Sequence, residues 1–271
     1  MDEIRITRAE NRDQPALHRL WETVFGDPPE IVEAFFDCFP PESAGWTVRR
    51  GDTICSAAYL LPGNWLLTET AYRPMGYVYA VATAPGERKK GYAGALMGAM
   101  AREADERGLL LYTRPAEPSL FPWYRETLGA EHVASMEELE ILRADNSIFS
   151  PPSAVTPLSP AQYSARREAL LADRPHVLLS ENLLRLQQTF SAAAGGGLFA
   201  VEQGCCACEI RDGALYLIEA LGLSEEAIAQ AMLRYLRLDR AVVRRPGGSR
   251  KLAAYRGTPL PESTHWGQFL E

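Results

Sequence analysis

The 271-residue sequence has no apolar run long enough to cross a bilayer. Met1-Asp2-Glu3-Ile4-Arg5 lacks both the basic start and the apolar stretch of an export signal, so a cytoplasmic protein is expected. Positive charge is in deficit as well. With 28 Lys and Arg against 35 Asp and Glu, the net charge of −7 leaves no broad basic surface for displacing counterions from nucleic acid. Neither nucleic acid nor a membrane is an expected partner; small polar or cationic substrates suit the composition better. The four histidines, His18, His132, His176 and His265, are scattered, with no metal-ligand spacing. Cys205-Cys206-x-Cys208 lies in a stretch of strand composition without a second cysteine pair, which predicts buried thiols and no metal. An odd total of five cysteines and no export signal point to reduced thiols and no disulfide. Missing too are Gly-x-Gly-x-x-Gly and Gly-Lys-Ser/Thr, which excludes a dinucleotide turn and a P-loop.

The informative stretch is Tyr77 to Met97. Tyr77-Val78-Tyr79-Ala80-Val81 has the aromatic and β-branched composition of a strand, and Pro85-Gly86 stops it. Arg88-Lys89-Lys90 and Gly91 follow. From Ala93 onward, Ala93, Leu96, Met97, Met100, Ala101 and Ala104 recur at threes and fours, the spacing of one helical face. A helix that starts straight after a cationic loop leaves its first N–H groups unpartnered and its dipole's positive end outward, which makes a candidate phosphate site. Gly91, with no side chain, lets a ligand approach the backbone, and Ala93 keeps the next position small.

Arg88-x-x-Gly91-x-Ala93, following a strand that carries Val81-x-x-x-Pro85, resembles the acetyl-CoA diphosphate loop of the GNAT N-acetyltransferases. The resemblance implies an α/β fold with a mixed, twisted sheet flanked by helices, and acetyl-CoA as co-substrate without a metal. It implies cofactor contacts from Arg88, Lys89, Lys90, Gly91, Tyr92, Ala93 and Gly94. The strand backbone of Val81, Ala82 and Thr83 would meet the pantetheine and polarise the carbonyl. It further implies that Leu109-Leu110-Leu111-Tyr112, a short apolar strand expected to run parallel to the Tyr77 strand, splays away from it to admit the pantetheine arm. The segment from Phe121 to Ala130 is similar to the family's late aromatic helix, with Ala130 where a Phe is usual. A Tyr of that helix protonates the departing thiolate in the family, and the matching residue here is Tyr124; a core aromatic role is the alternative for a side chain next to Trp123.

Along the chain, Ile4 to Thr7 reads as a strand, Leu17 to Val24 and Ile31 to Phe36 as helices, and Trp46 to Val48 and Ile54 to Leu61 as strands joined by a Gly51-Asp52 turn. Asn64 to Ala71 reads as a connection. Val133 and Met136 to Leu142 are strand-like and close a first, catalytic domain at 1–145. Pro151, Pro152, Pro157 and Pro160 mark a linker over 146–160, and 161–271 forms a second domain. The second half repeats the order of the first: helices, three strands with tight turns, an amphipathic helix over Ile228 to Leu236, and short strands at Ala241 to Val243 and Lys251 to Tyr255. Its strand-to-helix turn is Gly222-Leu223-Ser224-Glu225-Glu226, where Ser224 can cap the helix and two carboxylates would repel a diphosphate. This is the pattern of a duplicated fold whose second copy lacks the cofactor loop, and it is distantly similar to tandem acetyltransferases of the enhanced-intracellular-survival type.

Acetyl transfer to an amine needs a neutral nucleophile, a polarised carbonyl and a proton for sulfur. No acid stands on the central strand, so the base stays open among Glu69, Glu117 and Glu271. Glu271 is considered because a C-terminal carboxylate reaches the active site in some tandem relatives, and His265 to Leu270 has the apolar bulk to dock. The function expected is transfer of an acetyl group from acetyl-CoA to a primary amine of a small molecule or peptide by direct attack on the thioester. A non-catalytic acyl-CoA sensor that closes onto a partner is the competing reading, and the sequence leaves room for an oligomer.

Overall fold

The computed structural model describes residues 3–68, 71–144 and 154–267. In chain order the elements are β1 (Ile4–Arg8), α1 (Gln14–Phe25), α2 (Pro29–Cys38), α3 (Pro41–Ala44), β2 (Gly45–Arg50), β3 (Thr53–Thr68), β4 (Ala71–Thr83), α4 (Tyr92–Arg107), β5 (Leu110–Thr113), α5 (Leu120–Leu128) and β6 (His132–Leu142). There follow β7 (Val155–Pro157), α6 (Pro160–Leu171), β8 (His176–Leu178), α7 (Glu181–Ala193), β9 (Gly197–Val201), β10 (Gly204–Arg211), β11 (Ala214–Leu221), α8 (Glu225–Leu236), β12 (Arg240–Pro246) and β13 (Arg250–Arg256). The chain folds into two compact units: Met1–Trp65 with Arg73–Ala134 and Lys251–Leu260, and Leu66–Tyr72 with Ser135–Arg250 and Pro261–Glu271.

In the first unit the strands run in the order β1-β2-β3-β4-β5-β13, with β4 and β5 parallel. Side chains alternate across a strand, and this sheet uses both faces. Val48, Ala58, Leu60, Val78, Leu111 and Ala254 form one buried layer with Leu96, Met97, Met100 and Ala104 of α4 and Phe121, Tyr124 and Leu128 of α5. The intervening Tyr59 and Tyr79 turn the other way, where Trp21 of α1 and Phe35 of α2 meet them at ring-centroid separations from 4.8 Å to 6.0 Å. Gly108 ends α4 in the left-handed conformation, φ 63°, as a C-cap glycine should.

Three features differ from the sequence reading, the first being that β7 (Val155–Pro157), paired with β9, lies inside the stretch 146–160 expected as a linker. Asn64 to Ala71 is not a connection, because β3 continues to Thr68 and β4 begins at Ala71. Trp65-Leu66-Leu67-Thr68 are strong strand formers, and they outweigh the local Pro62-Gly63-Asn64 signal. The strand on the far edge of β5 is β13, with Ala254 opposite Thr113, Tyr255 opposite Tyr112 and Arg256 opposite Leu111. Four-residue β5 must pair its backbone groups on both edges, and the buried run Leu252-Ala253-Ala254-Tyr255 supplies the partner that β4 does not.

The second unit contains the order β6-β12-β11-β10-β9-β7, again with one parallel pair, β11 beside β12. The hairpin expected at Asp212-Gly213 is present, both residues having positive φ, 50° and 72°. Helix α8 crosses from β11 to β12 and packs Ile228, Met232 and Leu233 on Cys206, Cys208, Leu215, Leu217, Ala241 and Val243. The three clustered cysteines, Cys205, Cys206 and Cys208, are fully buried packing residues, and burial raises the pKa of Cys205 to about 12. Glu219 of β11 is buried among Tyr163 Oη at 2.5 Å, Arg167 Nε at 2.9 Å and His265 Nε2 at 2.6 Å. Burial alone would raise this carboxyl; Arg167 and His265 together override it and hold it well below the carboxylate range.

Candidate active site

Strand β4, a one-turn 3-10 segment over Pro85–Glu87, the loop Arg88 to Gly91 and helix α4 form the centre of the first unit. Gly91 is the N-cap of α4 and sits at φ 81°, a region that residues with a side chain rarely adopt. A Cβ built there would meet no atom within 4 Å, so its direction is open space above the helix end. No side chain caps α4, and its first turn carries no acid. Ala95 N–H is the one that closes onto Gly91 O, at 3.0 Å, so the N–H groups of Tyr92, Ala93 and Gly94 have no partner within the helix. Arg88, Lys89 and Lys90 are exposed around this opening, while Tyr92, Ala93 and Gly94 are half-buried. Arg88 Nε donates to Thr83 O at 3.3 Å, which folds the loop back onto the strand end, and Lys89 is itself left-handed at φ 63°. An uncapped helix end bare of carboxylates, fronted by three cations and a vacant Cβ direction, fits the diphosphate of an acyl-CoA.

The second part of the site lies where β4 and β5 part. Their parallel register runs Met75 with Leu110, Gly76 with Leu111, Tyr77 with Tyr112 and Val78 with Thr113. There it stops. Ala80, at φ 47°, puts a left-handed residue into β4, and the strand continues to Thr83 without β5 beside it. Ala82 faces the other neighbour: Ser56 Oγ donates to its carbonyl at 2.7 Å and lies 2.8 Å from Thr83 Oγ1. Backbone groups alternate between strand edges, which turns those of Val81 toward the edge that β5 has left.

Tyr124, on α5, is buried at 7% exposure, near Thr113 at the end of β5. Thr113 Oγ1 donates to Val78 O at 2.9 Å, which ties the end of β5 to the last paired residue of β4. Burial raises the phenol above its ordinary value of 10, with the Thr113 contact opposing. The structure therefore brings together Tyr124, the Val81 to Thr83 strand and the Arg88 to Gly94 loop within one unit. The carboxylates are not so gathered. Glu117 is exposed and accepts from Ser119 Oγ at 3.1 Å, and Glu69 and Glu271 lie outside the described residues.

Sequence reasoning missed Thr113, Ser56, the left-handed Ala80, and the pair Arg50 and Glu87. Only Glu87, in the loop itself, had a local signal; Arg50 sits at the end of β2 and reaches Glu87 Oε1 at 2.7 Å. The second unit's equivalent turn differs as expected: Ser224 Oγ accepts from Ala227 N at 3.2 Å, and Glu225 and Glu226 occupy the first turn of α8. Among the described residues no group of three His, Cys, Asp or Glu gathers as a metal site, and no helix is long and apolar enough to cross a membrane.

Comparison with known proteins agrees with this geometry. Residues 5–131 match the family model of the GNAT acetyltransferase domain. Among solved structures, a GCN5-related N-acetyltransferase from Kribbella flavida aligns with 94% of this chain and 70% of its own, at 16% identity and a TM-score of 0.66. A probable N-acyltransferase from Enterococcus faecalis V583 gives the same coverage, at 15% identity and 0.69. Eis1 from Mycobacterium abscessus aligns with 94% of this chain and 73% of its own, at 14% identity and 0.65. At these identities the likeness is one of fold. Comparison with curated sequences gives no match. Residues 5–131 thus form a GNAT acetyltransferase domain, with the β4-loop-α4 unit and the parting parallel pair of strands inside it.

Proposed function

We propose that the first unit uses acetyl-CoA to acetylate a primary amine on a small molecule or peptide. The reading is carried by one coincidence: the β4/β5 ladder ends at Val78 and Thr113, beside the phenol of Tyr124 and on the strand that leads into the uncapped end of α4. Arg88, Lys89 and Lys90 supply charge and the N–H groups of Tyr92, Ala93 and Gly94 supply donors for a diphosphate, while Val81 and Thr83 offer strand backbone to the pantetheine. When bound, acetyl-CoA supplies an activated acyl thioester. Tyr124 Oη holds the proton that the sulfur takes up, and its burial keeps that proton in place at neutral pH. Glu271 is retained as the carboxylate to test for deprotonating the amine. The second unit, with its own β11-α8-β12 crossover but a capped, acidic helix start, is proposed to be a copy of the fold that does not bind the cofactor.

A thiol-release assay with acetyl-CoA and a panel of amines tests the reading. Tyr124→Phe should lower kcat by about 100-fold with little change in the KM for acetyl-CoA. Binding without turnover across the panel, together with no effect of Tyr124→Phe on any slow turnover, would sink it.

A further inference from the structure

Glu87 sits where an acid is least expected, two turns of chain from the exposed helix end that the proposed function gives to a diphosphate. Its side chain is largely covered, and each oxygen is engaged by a cation: Oε1 by Arg50 Nη2 at 2.7 Å, Oε2 by Lys90 Nζ at 2.9 Å. The hydrogen bond from Lys90, then Arg50, hold the carboxyl below its ordinary range, and Glu87 in turn raises Arg50. Glu87 N–H is fixed on Ala84 O at 2.8 Å by the 3-10 turn, so the carboxylate is anchored to the strand end while the cations are the movable partners. Lys90 lies between Lys89 and Gly91, both left-handed, a backbone course that the loop must keep for α4 to start where it does.

We propose that Glu87 is a positioning residue: it holds Lys90 of the loop and Arg50 of β2 at the mouth of the anion site, making Arg50 a cofactor-phosphate residue although it lies far from the loop in sequence. A bare carboxylate near a diphosphate repels it; a carboxylate that orders two long cationic side chains reduces the entropy lost when they engage the ligand. The two effects have opposite signs, so the substitution separates them. This inference rests on the reading of the loop as the acyl-CoA site.

The test is CoA binding by titration calorimetry on the full chain, in two backgrounds. Glu87→Gln alone should weaken CoA about 10-fold, despite removing a negative charge beside an anion. In an Arg50→Gln/Lys90→Gln background, where nothing remains to be positioned, the same Glu87→Gln change should tighten CoA about 3-fold. Glu87→Asp, which keeps the charge but shortens the reach, should fall between wild type and Glu87→Gln and serves if Glu87→Gln does not fold. Tighter or unchanged binding in the single variant, or the same sign in both backgrounds, overturns the proposal. Gly91→Glu is the separate control: if it leaves CoA affinity unchanged, the cofactor loop itself is misassigned, whatever Glu87 does.

Discussion

Ala254→Asp tests whether β13 belongs to the core of the acyltransferase unit. Ala254 is 1% exposed, lies opposite Thr113 of β5, and shares a buried cluster with Leu96, Met97 and Met100 of α4. An aspartate placed there would be set among apolar side chains. Keeping it neutral at pH 7, against an ordinary pKa near 3.9, costs about 4 kcal/mol, and leaving it charged costs more. Against a typical total stability of about 5–15 kcal/mol, that is a large fraction, and it should lower the melting temperature by about 10 °C or more. The sign with pH is fixed. The folded-state pKa is raised above the unfolded value, so the penalty is present above pH 4 and shrinks as the pH falls toward it. Moving from pH 7 to pH 5 should return about 3 kcal/mol to the variant relative to wild type, measured by urea denaturation at the two pH values. Amide exchange should show the lost protection in β5 and α4. A variant with wild-type stability at pH 7, or with a penalty that does not change between pH 7 and pH 5, would refute this account of β13.

Other outcomes follow from single side chains. Because burial raises Tyr124 above 10, the rate should show no loss of the acid form below about pH 10; a basic limb between pH 8 and 9 that disappears in Tyr124→Phe would contradict this. Ser224→Ala removes the cap of α8 and should cost about 1 kcal/mol while leaving CoA affinity unchanged, and weaker CoA binding would contradict the division of roles between the two helix starts. Glu219→Gln removes the buried carboxylate of Arg167, leaving it only the partly exposed Glu168, and should cost about 3 kcal/mol. Glu219 is depressed in the folded state, so its contribution is present above pH 4.5 and lost as the pH falls below. Denaturation profiles of the Gln variant should therefore be flatter on acidification than those of wild type, and equal slopes would count against the network.

The local order of this chain is legible because local signals agree with the fold. Alternating and aromatic runs gave β4 and β5, the three-and-four spacing of Leu96, Met97 and Met100 gave α4, and Gly51, Gly108 and Gly213 each stand at a positive φ where a turn or cap requires it. The cofactor loop could be read for the same reason: its chemistry lies in consecutive residues. What could not be read depends on contacts between distant positions. Ala80 carries no mark of a left-handed residue, since alanine gains nothing there; the parting of β4 from β5 is what requires it. Thr113 became part of the site only because parallel pairing set it beside Val78 and α5 brought Tyr124 to it. Arg50 and Glu87 met because the β2–β3 hairpin ends at the loop. The sequence alone determined most of the elements, the cationic loop before α4 and the capped, acidic start of α8, all of which follow from neighbouring residues and helix or strand periodicity. Only the tertiary structure decided that β13 pairs with β5, because a four-residue strand accepts any apolar partner of suitable length and nothing local names which one.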